Sequence, residues 1–262
     1  MVTPFSVIRK VRYDYLPRAR SLAVRALIPR RAVRSRGLKF TLSCENWITA
    51  YRWRCFNEKE PETLDWIDQY VRNEGVFLDI GANVGVYSIY AALRYPNLKV
   101  IAFEPEYSNL HLLKDNILAN SLENRVSIYS IALGNENGIS HLHIQDATPG
   151  AALHTVSRSN LDVTYEGKKV IWKEGVATMA LDHFLREAGL KANFIKIDVD
   201  GNEKEILEGA CQTLSLPDLK SVLIEISDKE EMGIDCKKIL EDARFKNVFS
   251  EDRNWNYVWN RA

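Results

Sequence analysis

The ten residues Val76–Gly85 constrain the fold of this chain more than any other stretch. The segment begins with four apolar residues in five positions, carries the acid Asp79 near their end, and continues with two glycines, Gly81 and Gly85. A helical pattern of apolar residues follows, with no proline before Pro96. A strand that ends in a glycine turn and feeds a helix places free backbone N–H groups above a sheet. The segment therefore predicts a βα unit with a nucleotide site at its turn, although any tight βα loop favours glycine.

A second apolar run, Leu98–Phe103, predicts the neighbouring strand and ends in Glu104 and Pro105. Glu104 stands 23 positions after Gly81, where a carboxylate can accept hydrogen bonds from both hydroxyls of a ribose. Dinucleotide-binding enzymes carry G-x-G-x-x-G at such a turn. This chain has G-x-x-x-G, with the acid Asp79 two residues before the first glycine. That spacing favours S-adenosylmethionine, the donor of methyltransferases, over a nicotinamide cofactor.

Four motifs in this order resemble those of the FkbM family of S-adenosylmethionine-dependent methyltransferases. They are Val76–Gly85, Phe103–Pro105, Ile195–Gly201 and Leu223–Glu225. Upstream, Lys59–Thr63 is similar to the segment that precedes these motifs in the family. The resemblance covers about residues 45 to 226 and departs from the family pattern at Asp200, where glutamate is more common. It implies methyl transfer to an oxygen, but the acceptors of the family are diverse and no substrate follows from it.

The rest of the chain alternates strand and helix patterns, as is typical of an α/β fold with a doubly wound, mostly parallel sheet. Further strands are predicted at Val126–Ile131, Phe194–Val199 and Lys220–Ile226. The runs Phe245–Phe249 and Trp255–Trp259 predict an antiparallel hairpin at the edge. The resemblance implies the Rossmann-like class I methyltransferase fold with strand order 3-2-1-4-5-7-6. Strands one and four then end side by side.

Charge divides the chain into two predicted parts. Residues 1–39 contain eleven Lys or Arg and one acid, Asp14, whereas the remainder contains 24 basic and 34 acidic residues. We therefore predict a basic N-terminal arm, residues 1–39, and a methyltransferase domain, residues 40–262. Residues 40–58 mix aromatic and apolar side chains, which favours a strand or a strand pair, and Pro61 predicts the start of a helix.

The arm has several possible roles. Three prolines exclude a long helix in it. It could lie on an anionic membrane, resemble a transit peptide, bind nucleic acid, or form a solvated tail or a short packing helix. We expect no nucleic-acid partner, because such proteins usually also have basic aromatic patches on a folded surface. The chain has no apolar run of about 18 residues and no C-x-x-C pair, so we expect a cytoplasmic protein, with peripheral membrane contact through the arm as an open alternative.

The predicted donor site draws on the carboxyl ends of four strands. We expect Glu104 to hold the ribose, the glycine turn to pass the methionine portion, and the loop after the third strand to pass the adenine. The candidate donor-binding residues are Asp79, Gly81, Asn83, Gly85, Glu104, Pro105, Ala132 and Asp198. For Asp79 the alternative is an acid that only caps turn amides.

The candidate catalytic residues are Asp198 and His154. Asp198 and Asp200 end the fourth strand, and Asn202 and Glu203 follow. These acids could hold the ammonium of the donor, act as a general base, bind a divalent ion, or simply cap the next helix. We favour a site without metal.

Two further features complete the candidate site. His154 is the best histidine candidate for a base, and it lies in 145–169, a polar stretch without period that we interpret as a lid over the acceptor. Glu225 ends the fifth strand and could face the acceptor, or form a rim carboxylate paired with a lysine.

Two enzyme classes are excluded by missing motifs. The chain has neither G-x-S-x-G nor G-x-x-x-x-G-K-[ST], so we expect neither a hydrolase nor a kinase. The sequence instead predicts O-methylation of a hydroxyl on a small molecule, a sugar or a lipid-linked glycan. Two alternatives remain: a nicotinamide-dependent oxidoreductase, and a catalytically silent protein that binds the donor or acts as a scaffold.

Overall fold

The computed structural model describes residues 10–11, 15–19, 29–164, 167–227, 230–251 and 255–262. The strands are β1 (Arg30–Ser35), β2 (Leu38–Ser43), β3 (Val76–Ile80), β4 (Lys99–Phe103), β5 (Val126–Tyr129), β6 (Ala132–Gly134), β7 (Gly138–Ile144), β8 (Thr155–Ser157), β9 (Trp172–Ala180), β10 (Phe194–Ile197), β11 (Ser221–Glu225), β12 (Phe245–Glu251) and β13 (Asn256–Arg261). The helices are α1 (Trp47–Arg54), α2 (Pro61–Tyr70), α3 (Val86–Arg94), α4 (Tyr107–Ala119), α5 (Leu181–Ala188), α6 (Glu203–Glu208), α7 (Cys211–Ser215) and α8 (Glu231–Asp242).

The central sheet has seven strands in the order β5-β4-β3-β10-β11-β13-β12. The first five are parallel, and β13 pairs antiparallel with both β11 and β12. This is the predicted order, including the antiparallel edge hairpin. Ile80 at the end of β3 lies opposite Ile197 on one side and Phe103 on the other. The residues that follow these three strands therefore meet at one edge of the sheet.

Both faces of the sheet are covered, which explains the nearly continuous apolar strands. On one face, Phe77 packs in a core with side chains of α2, α3 and α4. On the other face, Leu78 packs with side chains of α5 to α8. Helix α2 begins at Pro61 as predicted, and its predicted apolar stripe of Leu64, Ile67 and Val71 is buried.

The prediction of a strand or strand pair over residues 40–58 is only partly correct. Strand β2 ends at Ser43, and helix α1 begins at Trp47. The side chain of Asn46 accepts from the backbone N–H of Thr49, whose side chain accepts from the backbone of Asn46. This reciprocal capping box fixes a helix start locally, and it outweighs the strand preference of the aromatic residues.

The predicted boundary after residue 39 falls inside β2. Strand β1 pairs antiparallel with β2 through the turn at Arg36 and Gly37, both with positive φ. Val33 is buried in the same core as Phe40 of β2. The last residues of the predicted arm are thus part of the folded body, because apolar side chains alternate with its arginines. The rest of the arm lies largely outside the described residues.

A second sheet, β6-β9-β7-β8, stands beside the central one. Its strand β7 has the predicted bounds, and β9 begins two residues later than predicted, at Trp172. The predicted lid, residues 145–169, includes β8, which pairs with β7. Part of that stretch is therefore an ordered strand of this sheet.

Candidate functional site

A cleft of about 840 Å³, which includes space open to solvent, lies where β3, β4 and β10 end. This is the position expected for a ligand in a doubly wound sheet. The predicted site residues that line it are Gly81, Asn83, Glu104, Pro105, Ala132, His154, Asp198, Asp200 and Asn202. Asp79, Gly85, Glu203 and Glu225 are not among the described residues that form its wall.

The glycine turn is shaped by its neighbours in the fold. The N–H groups of Gly81 and Ala82 both donate to the carbonyl of Phe103. Gly81 has φ +78°, and a Cβ there would lie 1.9 Å from the carbonyl oxygen of Asp198. At Gly85, also with positive φ, a Cβ would lie 2.2 Å from the side chain of Leu113. Gly85 therefore serves the packing of α3 against α4, and its predicted contact with the donor is not supported.

Glu104 is held rigidly at the floor of the cleft, with 6% of its surface exposed. One carboxylate oxygen accepts from the N–H of Asn83 at 2.8 Å, and the other accepts from the N–H of Glu106 at 2.9 Å. Each oxygen has a second lone pair, so both can still accept from a ligand hydroxyl. Burial raises the pKa of Glu104 to about 7, although the two backbone N–H groups favour the charged form.

Asp79 lies behind the turn and not on the wall of the cleft. It is buried, and one carboxylate oxygen accepts from the hydroxyl of Ser88 at 2.6 Å. The other oxygen lies 3.9 Å from Nζ of Lys196 and has no hydrogen-bond partner in the described chain. The described turn amides bond elsewhere. The structure therefore gives Asp79 a supporting role toward α3 and Lys196, and supports neither direct donor contact nor amide capping.

Asp198 belongs to a buried charge cluster. Nζ of Lys196 donates to Asp198 Oδ2 at 2.5 Å, while 29% of the Asp198 side chain remains exposed toward the cleft. Burial would raise the pKa of Asp198, but the charges of Lys196 and Lys59 outweigh it and hold this pKa well below its usual range. Burial and the charge of Asp198 raise the pKa of Glu225, which shares a hydrogen bond with it. Asp198 is therefore a stable anion and a weak base.

Asp200 and Asn202 do not cap helix α6, contrary to the capping alternative. Asp200 Oδ2 accepts from the N–H of Leu153 at 2.6 Å, and Asn202 Oδ1 accepts from the N–H of Val156 at 3.2 Å. Both side chains thus fix the chain that crosses the cleft. Glu203 is buried beside them, and burial raises its pKa to about 8.

His154 lies between these two anchored residues and lines the cleft. Both of its ring nitrogens are buried and have no hydrogen-bond partner among the described residues. Burial lowers its pKa below the ordinary value, although Glu106 and Asp146 oppose this effect. The imidazole is therefore neutral near pH 7 and able to accept a proton.

Residues 149–156 form what we call the cover segment, and its first part is anchored by side chains that sequence reasoning missed. Asn109 accepts from the N–H of Gly150 at 2.7 Å and donates to the carbonyl of Ala151 at 3.1 Å. Asn83 also donates to that carbonyl, and Arg52 donates to the carbonyl of Gly150. No local pattern identifies Asn109, because a polar residue in a helix is normally a solvated one.

A second, smaller cavity adjoins the cleft at the glycine turn. Its lining includes Arg52, Lys59, Glu60, Tyr87 and Lys196. Glu60 is buried, pairs with Lys59 and accepts from the hydroxyl of Tyr87 at 2.8 Å. The sequence pointed to this segment only through the resemblance of Lys59–Thr63 and gave no role for it.

Two searches of the described residues complete the site. They contain no group of three or more His, Cys, Asp or Glu side chains arranged to hold a metal ion. None of the helices in the described part of the chain is both long enough and apolar enough to span a bilayer.

Known proteins similar to this chain are methyltransferases. Methyltransferase 1 of Beauveria bassiana is 25% identical over 198 residues, which cover 70% of this chain and 76% of that protein. The 31-O-demethyl-FK506 methyltransferase FkbM of Streptomyces tacrolimicus is 24% identical over 202 residues, with coverage of 70% and 76%. The hexuronic acid methyltransferase AglP of Haloferax volcanii is 22% identical, with 77% coverage of each chain.

Among solved structures, magnesium protoporphyrin IX methyltransferase (ChlM) from Synechocystis PCC 6803 with bound SAM is 13% identical. The match covers 83% of this chain and 85% of that one, with a TM-score of 0.48. The family described as Methyltransferase FkbM domain matches residues 79–257, which is more than half of the chain. This range includes β3, β4, β10 and the residues that follow them. The chain therefore belongs to the FkbM methyltransferase domain family.

Proposed function

We propose that this chain transfers a methyl group from S-adenosylmethionine to a hydroxyl oxygen of a small molecule, a sugar or a lipid-linked glycan. The observation that carries the proposal is the buried carboxylate of Glu104, which both neighbouring N–H groups orient at the floor of the cleft. A carboxylate in this place suits the two hydroxyls of a ribose.

The residues around the cleft fit the rest of the donor. Gly81 and Asn83 would pass its methionine portion, and Pro105 and Ala132 line the side where the adenine would lie. Asp198 is a lasting anion at the opposite strand end and suits the ammonium of the donor. When bound, the donor supplies an electrophilic methyl group on a sulfonium sulfur.

We assign proton removal to His154 and not to Asp198. A general base is most effective when its pKa lies near the working pH. The pKa of Asp198 is held far below that range by two lysines, whereas His154 is a neutral imidazole with unpartnered nitrogens on the wall of the cleft. Such a group can accept the proton of an attacking hydroxyl.

The cover segment would help the reaction by limiting the access of water. Hydrogen bonds from α1, the glycine turn, α4 and the end of β10 hold it over the cleft before any ligand binds. The names of two relatives support an oxygen acceptor, since one is a 31-O-demethyl-FK506 methyltransferase and another a hexuronic acid methyltransferase. These are distant relatives, so we propose the acceptor class and not a substrate.

Calorimetric titration tests the donor. We expect S-adenosylmethionine to bind and NADH not to bind, and Glu104→Ala to weaken donor binding by about 10- to 150-fold, since a hydrogen bond to a charged group is worth about 1.5–3 kcal/mol. Glu123→Ala, at an exposed position, is the matched control. Donor affinity unchanged in folded Glu104→Ala protein would refute the ribose assignment.

Transfer itself needs a second measurement. Purified protein incubated with donor labelled in its methyl group should pass the label to some member of pooled hydroxylated metabolites and glycans, and His154→Ala should lower that rate by about 10²- to 10⁴-fold. Donor binding without any transfer across nucleophile classes would favour the catalytically silent alternative.

A further inference from the structure

We infer that the junction of the two cavities is a subsite for an α-amino acid zwitterion, in which Arg52 and Lys59 bind the carboxylate of the methyl donor and Asp198 binds its ammonium. The inference rests on the proposed function and deepens it. Arg52 and Lys59 precede residues 79–257, so the family match does not include them.

The position of the subsite follows from the cavities. The cleft and the smaller cavity share lining residues on both sides of the glycine turn, so they form one continuous space there. The shared residues are Arg52, Lys59, Gly81, Asn83 and Asp198. They include two cations, one anion and the turn that would pass the methionine portion. No other part of the described cleft wall brings a lysine and an arginine to the same place.

The charges at this junction are directed toward the open space. Glu60 is occupied, because it pairs with Lys59 and accepts from the hydroxyl of Tyr87. Lys196 is buried behind the turn between Asp198 and Asp79. Arg52 and Lys59 remain as donors facing the space, and the exposed part of Asp198 remains as the acceptor.

Arg52 is oriented for this role by the cover segment. Its Nε and Nη2 both donate to the carbonyl of Gly150, at 2.9 and 2.8 Å. Nη1 makes no hydrogen bond within the described chain, so the guanidinium is fixed and still has donors to offer. The side chain of Lys59 is 40% exposed, and its ion pair with Glu60 leaves further N–H groups for a ligand oxygen.

Charge balance favours a zwitterion over a simple ion. Cations and anions already alternate around the junction: Arg52, Lys59 and Lys196 against Glu60 and Asp198, with Asp79 behind Lys196. A ligand with one charge of each sign leaves this balance unchanged. A ligand that brought only an anion or only a cation would leave one side chain of the opposite pair desolvated without a partner.

The test truncates the ligand and the protein together. Calorimetry is run with S-adenosylmethionine and with its decarboxylated analogue, which keeps the adenosine, the sulfonium and the amino group. In Arg52→Met we expect about 10- to 100-fold weaker binding of S-adenosylmethionine and little change for the decarboxylated analogue. Arg54→Met, at an exposed position on the same helix, is the matched control and should change neither.

Two further variants keep the test decisive. Lys59→Met should show the same selectivity as Arg52→Met, whereas Asp198→Asn should weaken both ligands because both carry the amino group. An equal loss for both ligands in Arg52→Met would mean that Arg52 acts only through the cover segment, and would overturn the inference. No loss for either ligand would overturn it as well. If the wild-type protein bound neither ligand, the proposed function itself would fail.

Discussion

At the scale of single residues, Glu104 has the most distinctive property, a carboxyl whose pKa burial raises to about 7. Only its ionised form accepts from two hydroxyls at once. We therefore predict that donor affinity falls by up to about tenfold for each pH unit below about 7, as one proton must be removed for binding. Calorimetry between pH 5.5 and 8.5 measures this dependence.

The control for this pH dependence is a second buried acid. Glu203→Gln removes a group whose pKa is about 8 and which does not line the cleft, so it should preserve the profile. Glu104→Ala should flatten it. The sign for stability is opposite: folding raises the pKa of Glu104 from 4.5, so its contribution is present below pH 4.5 and is lost as the pH rises through about 7. A donor affinity independent of pH in the wild type would contradict the prediction.

Residues differ in how much of their role can be inferred from the sequence. Glu104 could be predicted because its strand, its turn and its distance from Gly81 are all local features. Asp79 and Gly85 could be placed at the turn, but their partners, Lys196 and Leu113, come from other elements. Asp200 looked like a helix cap, because nothing near it in sequence indicates that it accepts from the N–H of Leu153.

At the scale of elements, the cover segment is the feature that the sequence interpreted least well. Its length and lack of period predicted a lid, yet Asn109 of α4 bonds both Gly150 and Ala151. We predict that Asn109→Ala lowers the free energy of unfolding by about 1–3 kcal/mol, because two buried backbone groups lose their partner. Hydrogen exchange should become faster in peptides that contain Gly150 and Ala151.

Asn124→Ala, at an exposed position just after α4, is the control for the effect of removing an asparagine. It should leave both stability and exchange unchanged. Exchange at residues 150–151 that is already fast in the free wild-type protein would mean that these hydrogen bonds are not maintained in solution, and would restore the mobile lid.

Periodicity predicted the elements well where burial is one-sided or complete. Strands β3, β4 and β10 and helix α2 lie where their apolar runs indicated. The method failed at α1, where a capping box at Asn46 sets the structure against aromatic propensity. It also failed at β1, where the average charge of the arm concealed an alternation that buries Val33.

At the scale of the whole molecule, the limits of the folded body can be tested by truncation. Removal of residues 1–28 should change neither donor affinity nor the melting temperature. Removal of residues 1–39 also deletes β1, which uncovers Phe40 and loses the buried Val33. We expect that deletion to lower the free energy of unfolding by about 2 kcal/mol or more, measured by denaturant titration. Equal stability of both truncated proteins would show that β1 adds nothing to the core.

For the arm we propose contact with an anionic membrane surface, supported by its eleven basic residues against one acid. Full-length protein should sediment with vesicles that contain anionic lipid at low salt and should be released as salt screens the charges. Protein lacking residues 1–28 should stay in the supernatant. Equal sedimentation of the two proteins would leave only a solvated arm.

The second sheet gives the molecule a property that concerns protein engineering. Gly134 of β6 lies opposite Ala180 of β9, and α5 begins at Leu181, so the chain leaves the central fold and returns to it at one place. Residues 135–179 thus form a cassette with adjacent ends. Length changes between β8 and β9 would alter the rim of the cleft without moving β3, β4 or β10, which makes this stretch the natural place for loop grafting.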